Sequence, residues 1–235
     1  MIFKREELLI GKKNLEKLKN SHILVFGLGG VGGYVVEGLV RGGVGELTIV
    51  DYDTVDITNI NRQIIATMDT VGERKTDLIE KRAKSINPNI KINKINEKYL
   101  KEDSDKFFEN KNYTYIIDAI DMVTSKLSII ENSARLGIPI ISSMGTGNKL
   151  DPTLLEIADI SKTSVCPLAR IIRKEVKARG IKKLKVLYSK EDPIKPINEE
   201  GSREKSVNVG SISFVPSVAG LIIAGEVIRD ICNLK

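Results

Sequence analysis

The sequence predicts an α/β protein: Rossmann-like, with a mostly parallel central sheet, helices on both faces, and additional strands and helices toward the C-terminus. Three observations predict it. Short apolar runs alternate with helical segments from about residue 22 to residue 145, a pattern that buries a parallel sheet between two layers of helices. Gly27-Leu28-Gly29-Gly30-Val31-Gly32 falls at a strand-to-helix junction as G-x-G-x-x-G. Asp51 closes the strand that follows, where an acid completes this type of turn.

The elements follow in order. HILVFG (His22 to Gly27) is the first strand; after the glycine turn a helix runs through about Arg41. GELTIVD (Gly45 to Asp51) is a second strand, bounded by glycine and aspartate. In ERKTDLIEKRAKSIN, Ile79, Ala83 and Ile86 share one helical face, and Pro88 stops the helix. NIKINKI, alternating at Ile90 and Ile92, is a weaker strand. Tyr113 to Asp121 is a third buried strand, followed by a helix to about Leu136 and a strand in GIPIISSM. Beyond Gly145 the pattern loosens. TLLEIADI and KLKVLYS are strand-like, and Cys166-Pro167 opens a helix with proline at its favoured first position. Lys190 to Asn208 is polar, proline-containing and aperiodic, which predicts a mobile loop. PSVAGLIIAGEVIRDIC is a helix packed back on the sheet. With no repeat or linker to divide it, 1–235 reads as one domain, a nucleotide-binding core over 1–150 and a C-terminal extension over 151–235.

Composition narrows the class. Hydrophobic residues make up 41% and charged residues 29%, a globular balance. Two cysteines, Cys166 and Cys232, build neither a disulfide framework nor a four-thiolate zinc site, and suit a reducing cytoplasm. The charged start lacks a signal peptide's apolar run, and the apolar stretch Phe214 to Gly225 is too short to span a bilayer. No membrane association is expected. The net charge is +6, from 37 basic and 31 acidic residues. Residues 162–185 hold nine of the basic side chains and one acid, Glu175, leaving 28 basic and 30 acidic residues elsewhere. All the excess positive charge therefore sits in one segment, which reads as a footprint for a nucleic-acid backbone, with Arg170, Arg173, Lys174, Lys177 and Lys182 as its candidate contacts. The alternative is a solvated helix face.

The glycine turn needs small residues because the backbone must approach phosphate oxygens closely, and the helix it opens offers unpaired N–H groups to them. Asp51 suits ribose hydroxyls. Asn61, Arg62 and Lys75 lie just past the strand ends, where a dinucleotide has no need of two cations but a triphosphate losing pyrophosphate does. Asp118 and Asp121 follow the strand expected beside the first, and two carboxylates there suit a magnesium ion. The competing readings are a surface salt bridge for Lys75 and a helix N-cap for Asp121.

GLGGVG, DYDTVDITNINRQ, the downstream Lys75 and DAID resemble the ThiF/MoeB/ubiquitin-activating superfamily over roughly residues 5–150. The resemblance implies an enzyme that transfers AMP from ATP to a carboxylate. It also implies a nucleotide site built from Gly27, Gly29, Gly30, Gly32, Asp51, Asp53, Asn61, Arg62, Lys75 and Asp121. Within it Gly29 and Gly32 would hold phosphates, Asp121 would hold Mg2+, and Arg62, Lys75 and Asp121 would carry the chemistry. Relatives also place an N-terminal arginine across a two-fold interface, which makes Arg5 the matching position and implies a homodimer. Many members carry two zinc-binding Cys-x-x-Cys pairs; this chain has none. KREELLIG (Lys4 to Gly11), SSMGTGNKLDPT (Ser142 to Thr153), DISKTSVCPLARIIRKE (Asp159 to Glu175) and SISFVPSVAG (Ser211 to Gly220) further resemble the tRNA threonylcarbamoyladenosine dehydratases. That implies ATP-dependent cyclisation of the threonylcarbamoyl group on tRNA. Two other readings stay open: adenylation of a ubiquitin-like or sulfur-carrier protein, and an NAD-binding redox or regulatory protein. Cys166 reads as a small buried cap, with a transient nucleophile or a partner for a sulfur-transfer protein as the alternatives; Cys232 reads as core, and His22 as a strand residue.

Overall fold

The computed structural model describes residues 2–109, 112–195 and 209–234. α1 (Lys4–Ile10) and α2 (Lys12–Lys19) precede β1 (His22–Phe26). Then follow α3 (Gly32–Arg41), β2 (Glu46–Val50), α4 (Lys75–Ile86), β3 (Lys91–Ile95), the short α5 (Asp105–Phe108), β4 (Tyr115–Asp118), α6 (Val123–Leu136) and β5 (Ile140–Ser143). After these come β6 (Leu155–Asp159), α7 (Pro167–Ala178), β7 (Lys185–Ser189) and α8 (Phe214–Cys232).

Seven strands form one sheet in the order β3-β2-β1-β4-β5-β7-β6, parallel except for β6, which runs antiparallel to β7. Strand alternation distributes each strand between two cores. Ile23 and Val25 of β1 face the cluster that holds α3, α4 and α8, whereas Leu24 and Phe26 face the aromatic cluster of Tyr99, Phe107 and Phe108. A third cluster joins α6 and α7 to β7 through Ile130, Ile172 and Val186. Each such fully buried side chain stabilises the fold by about 1.5–3 kcal/mol. β3 closes one edge with Lys91 and Lys94, charges that discourage further strand pairing.

The sheet reverses its order of filling between β1 and β4, which opens a crevice at their carboxyl ends. α8 packs along α3 so closely that a Cβ on Gly220 would overlap the Val31 carbonyl oxygen. This brings the chain ahead of α8 to the crevice mouth. α8 begins at Phe214, with Pro216 inside its first turn, where the missing N–H costs no helical bond. α1, α2 and α5 are additions to the predicted elements, and the third buried strand is shorter than Tyr113 to Asp121. Of the loop expected over 190–208, positions 196–208 lie outside the described residues.

Candidate active site

The crevice is a cavity of about 560 Å³ lined by Gly27, Gly29, Gly30 and Val31 on one side, Asp51, Asp53, Asn59, Arg62, Gln63 and Lys75 on a second, and Ile120 to Met122 with Ser143 to Gly147 across from them. Leu168, Val209, Ser211 and Pro216 reach its mouth. Gly27 turns the chain out of β1 with φ +85°, a left-handed conformation that favours glycine, and donates its N–H to Val50 O at 2.9 Å. Gly32 does not line the crevice. Its missing side chain lets the first turn of α3 sit against the Gly27 carbonyl oxygen, which a Cβ would overlap. Its part is close packing, and Gly29 and Gly30 are the turn positions that face the cavity.

Asp51, half-buried just beyond β2, holds the turn from the other side. Its Oδ2 accepts from Leu28 N at 2.7 Å and its Oδ1 from Asp53 N at 2.8 Å. Burial raises its carboxyl above the ordinary 3.8, against the pull of Lys75 and the two backbone donors. Lys75 opens α4. Its backbone N–H donates to Asp53 O at 3.2 Å and its ammonium to Asp53 Oδ2 at 3.0 Å. The Lys75 side chain is buried, so a salt bridge exists here but not on the surface.

The DITNINRQ segment winds through a 3₁₀ turn, Ile57–Asn59, closed by a capping box in which Asp56 accepts from Thr58 N and Asn59 Oδ1 accepts from Asp56 N. This buries Asn59 and faces it to the crevice. Asn61, two residues on, is exposed and does not line the cavity; its Nδ2 donates to Ser211 O at 2.9 Å, so the expected phosphate contact from Asn61 is not what its position provides. Arg62 does face the cavity, its Nη1 donating to Thr58 O at 2.8 Å and to Asn61 Oδ1 at 3.0 Å. Gln63 was missed by sequence reasoning. It lines the crevice, is buried, and its Oε1 has no hydrogen-bond partner, the condition of a polar group awaiting a ligand.

The two aspartates of DAID separate. Asp121 is exposed and lines the crevice; the N-cap of α6 is Met122, so Asp121 does not cap that helix. Asp118 is fully buried and paired with Lys126 at 2.7 Å. That corrects the expectation of two carboxylates for one metal ion. Among the described residues no group of three or more His, Cys, Asp or Glu side chains is arranged to hold a metal. One carboxylate nonetheless fits magnesium bound chiefly through phosphates and water.

In the basic segment Arg170, Lys174, Lys177 and Lys182 are exposed on and just beyond α7. Arg173 is engaged inside the fold, its Nη1 donating to Thr163 O at 2.6 Å and Thr163 Oγ1 at 2.7 Å. Arg179 pairs with Glu131 and Glu175, and Lys185 with Glu226 and Asp230. Leu168 of the same helix reaches the crevice, so α7 links the basic face to the site. Cys166 occupies the N-cap position of α7, makes no side-chain cap bond, and is buried in the third core; Cys232 is buried under α2 and α8. His22 contacts Thr48 Oγ1 at 2.8 Å and the Tyr113 ring, at the opposite end of β1 from the crevice. Arg5 lies exposed on α1, away from the cavity lining of its own chain. No helix among the described residues is long and apolar enough to cross a membrane.

The chain is 44% identical over 239 residues to a tRNA threonylcarbamoyladenosine dehydratase of Bacillus subtilis, covering 97% of this chain and 94% of the relative. A crystal structure of the E. coli tRNA N6-threonylcarbamoyladenosine dehydratase TcdA in complex with ATP superposes with a TM-score of 0.89 at 29% identity, covering 98% of this chain and 93% of that one. An adenylyltransferase and sulfurtransferase of Ogataea parapolymorpha is 36% identical, but over 63% of this chain and 37% of its own length. With residues 3–235 matching the ThiF family, the chain belongs to the ThiF family.

Proposed function

We propose that this protein is an ATP-dependent tRNA threonylcarbamoyladenosine dehydratase that works through an acyl-adenylate. The observation that carries the reading is one cavity lined by the glycine turn, Arg62, Lys75 and Asp121 together with Ser143 to Gly147 and Leu168. Similarity to the B. subtilis dehydratase over 97% of the chain supports the substrate, and the ATP complex of E. coli TcdA supports ATP over a dinucleotide. A carrier-protein substrate is less well supported, since the adenylyltransferase relative matches only 63% of the chain.

In this reading an oxygen of the threonylcarbamoyl carboxylate attacks the α-phosphorus of ATP and pyrophosphate leaves. The substrate's own carbamoyl group then attacks the activated carbonyl, closing a ring and expelling AMP; the net change is loss of water. Asp51 accepts from the ribose hydroxyls, and N–H groups of the glycine turn face the phosphates. Lys75 and Arg62 offset the charge that gathers on the departing pyrophosphate. Asp121 would hold magnesium, which when bound would supply further positive charge to the phosphates. The exposed basic residues of α7 hold the tRNA backbone, and Leu168 lies where the modified nucleotide enters. No enzyme thiol is needed, consistent with two buried cysteines.

A homodimer completes the proposal. α1 is seven residues long with no buried side chain, and exposes Leu8 and Leu9 at 75% and 88%. A helix that short has little stability of its own, and those leucines suit a second copy. The deciding experiment incubates the protein with ATP, magnesium and tRNA bearing threonylcarbamoyladenosine, followed by nucleoside mass spectrometry. A product lighter by one water, with AMP and pyrophosphate, is expected; an unchanged nucleoside or ADP as sole nucleotide product refutes it.

A further inference from the structure

Beneath the crevice lies an ion pair that the proposed chemistry does not touch. Lys126 of α6 and Asp118, the last residue of β4, are both wholly buried, with Lys126 Nζ 2.7 Å from Asp118 Oδ2. The three ammonium hydrogens have three acceptors: Asp118 Oδ2, Ser143 O at 2.9 Å and Ser142 Oγ at 3.2 Å. Ser142 Oγ in turn donates to Asp118 Oδ2 at 2.6 Å, and Asp118 Oδ1 accepts from Ile120 N at 3.2 Å. Every donor has a place, and three segments meet in one knot: the end of β4, the end of β5 and the second turn of α6.

Such a knot is an expensive way to fill a core. Desolvating two charges costs several kcal/mol per ion, and apolar residues of similar volume often stabilise as well or better. What apolar residues cannot do is fix direction, since only hydrogen bonds set the angle between the three segments. The knot lies directly under two neighbouring loops of the crevice wall, those that follow β4 and β5. The Asp118–Ile120 bond bends the chain immediately before Asp121, and Ser142 and Ser143 lead into Met144 to Gly147.

We propose that Lys126 is a positioning residue: with Asp118 it sets the Asp121 turn against the Met144–Gly147 loop, and so sets how magnesium-bound ATP is held. The inference rests on the reading of Asp121 given above.

The test separates direction from stability. Lys126→Met alone leaves a buried carboxylate without its counter-charge and should lower the thermal midpoint. The compensated Asp118→Asn/Lys126→Met pair, with no buried charge, should regain most of that midpoint. It should nevertheless show a loss of about 10- to 100-fold in kcat or in magnesium-dependent ATP affinity, the usual cost of removing a group that orients a ligand-holding side chain. Affinity for ATP without magnesium should fall by a smaller factor, because the bonds that hold Asp51 go to Leu28 and Asp53 and involve no member of the knot. Calorimetry of ATP binding with and without magnesium reads this on the protein alone, independent of any tRNA. Parental kcat and parental magnesium dependence in a pair with parental thermal midpoint would overturn the proposal. Should the pair fail to fold, Ser142→Ala removes one strut and keeps both charges; the same magnesium-specific loss supports the proposal, and parental behaviour overturns it. Asp121→Ala is measured in parallel. If it leaves magnesium-dependent binding unchanged, the reading of Asp121 has failed, a result distinct from failure of Lys126.

Discussion

Lys75 reaches the Asp53 carboxylate at 3.0 Å from a buried position, while the Asp53 side chain is 44% exposed. The ammonium is thus fixed from below, and its counter-charge sits at the surface of the crevice. Lys75→Ala should lower turnover by about a hundredfold or more, as for other groups that stabilise developing charge, with AMP and pyrophosphate still the products. Asp53→Asn strands a buried ammonium, so the apo protein should melt earlier than the parent. ATP should then raise its melting temperature by more than it raises the parent's, because binding to the native state alone restores the missing negative charge. Equal ATP-induced shifts in the two proteins would contradict this.

Gly29 and Gly32 of the glycine turn should respond differently to alanine. At Gly29 a Cβ meets nothing closer than Gln63 Nε2 at 3.9 Å, whereas at Gly32 it overlaps the Gly27 carbonyl oxygen. Gly29→Ala should therefore fold with a near-parental melting temperature and bind ATP less well, since its methyl occupies phosphate space. Gly32→Ala should lose stability first, by about 1–3 kcal/mol or more from forced backbone movement. Parallel thermal melts and ATP titrations distinguish them.

Burial holds the Asp51 carboxyl above its ordinary 3.8. The folded chain keeps this proton at pH values where the unfolded chain has lost it. The contribution to stability is therefore present below pH 3.8 and is lost as pH rises through the raised value. For ligand binding the same shift acts in the opposite sense. The ribose needs the ionised form, so ATP affinity should begin to fall on acidification at a higher pH than an ordinary aspartate would dictate. Asp51→Asn should bind weakly and show a flatter pH profile between neutral and mildly acid solution.

The exposed cations of α7 and the turn after it should govern tRNA binding, and the engaged one should not. Replacing Arg170, Lys174, Lys177 and Lys182 together by glutamine should weaken tRNA binding and flatten its salt dependence, by about one unit of slope per lost phosphate contact. ATP affinity should be unchanged. Arg173→Gln should instead destabilise the fold by about 1.5–3 kcal/mol through its bonds to Thr163. Equal salt slopes in the quadruple variant and parent would return α7 to a solvated face.

Arg5 is tested by complementation. An arginine suits phosphate in trans because it stays charged and offers a fork of donors. Arg5→Ala and Asp121→Ala chains should each be inactive, and mixed dimers should regain one site built from Arg5 of one subunit and Asp121 of the other. Confirmed subunit exchange with no recovered activity would confine Arg5 to its own chain or to no role.

The strands and most helices were legible because apolar runs such as Ile23 to Phe26 and Tyr115 to Ile117 are buried on both sides. α1 escaped because KREELLI buries nothing within the chain, so no periodic apolar face marks it. That Asn59 rather than the expected Asn61 faces the crevice turned on burial that composition does not reveal. A readable signal existed: Asp56 and Asn59 stand at capping-box spacing, which turns Asn59 inward. Asp118 and Asp121 look alike as letters in DAID. They part because strand register places Asp118 opposite Phe26 and Ser142 inside the sheet, while Asp121 lies three residues past its end.

The packing of α8 on α3 also dictates when the site can exist. The glycine turn and α3 emerge early in synthesis, but the helix that braces α3 and the Val209 and Ser211 wall of the crevice are made only after some two-thirds of the chain has followed. Until then α3 carries an uncovered apolar face, Val35, Leu39 and Val40, that α8 and its neighbours bury in the finished fold. Contacts so distant in sequence form slowly and leave sticky surfaces in the interim. The crevice is therefore complete only once α8 has packed, and ATP should bind only chains that have finished folding.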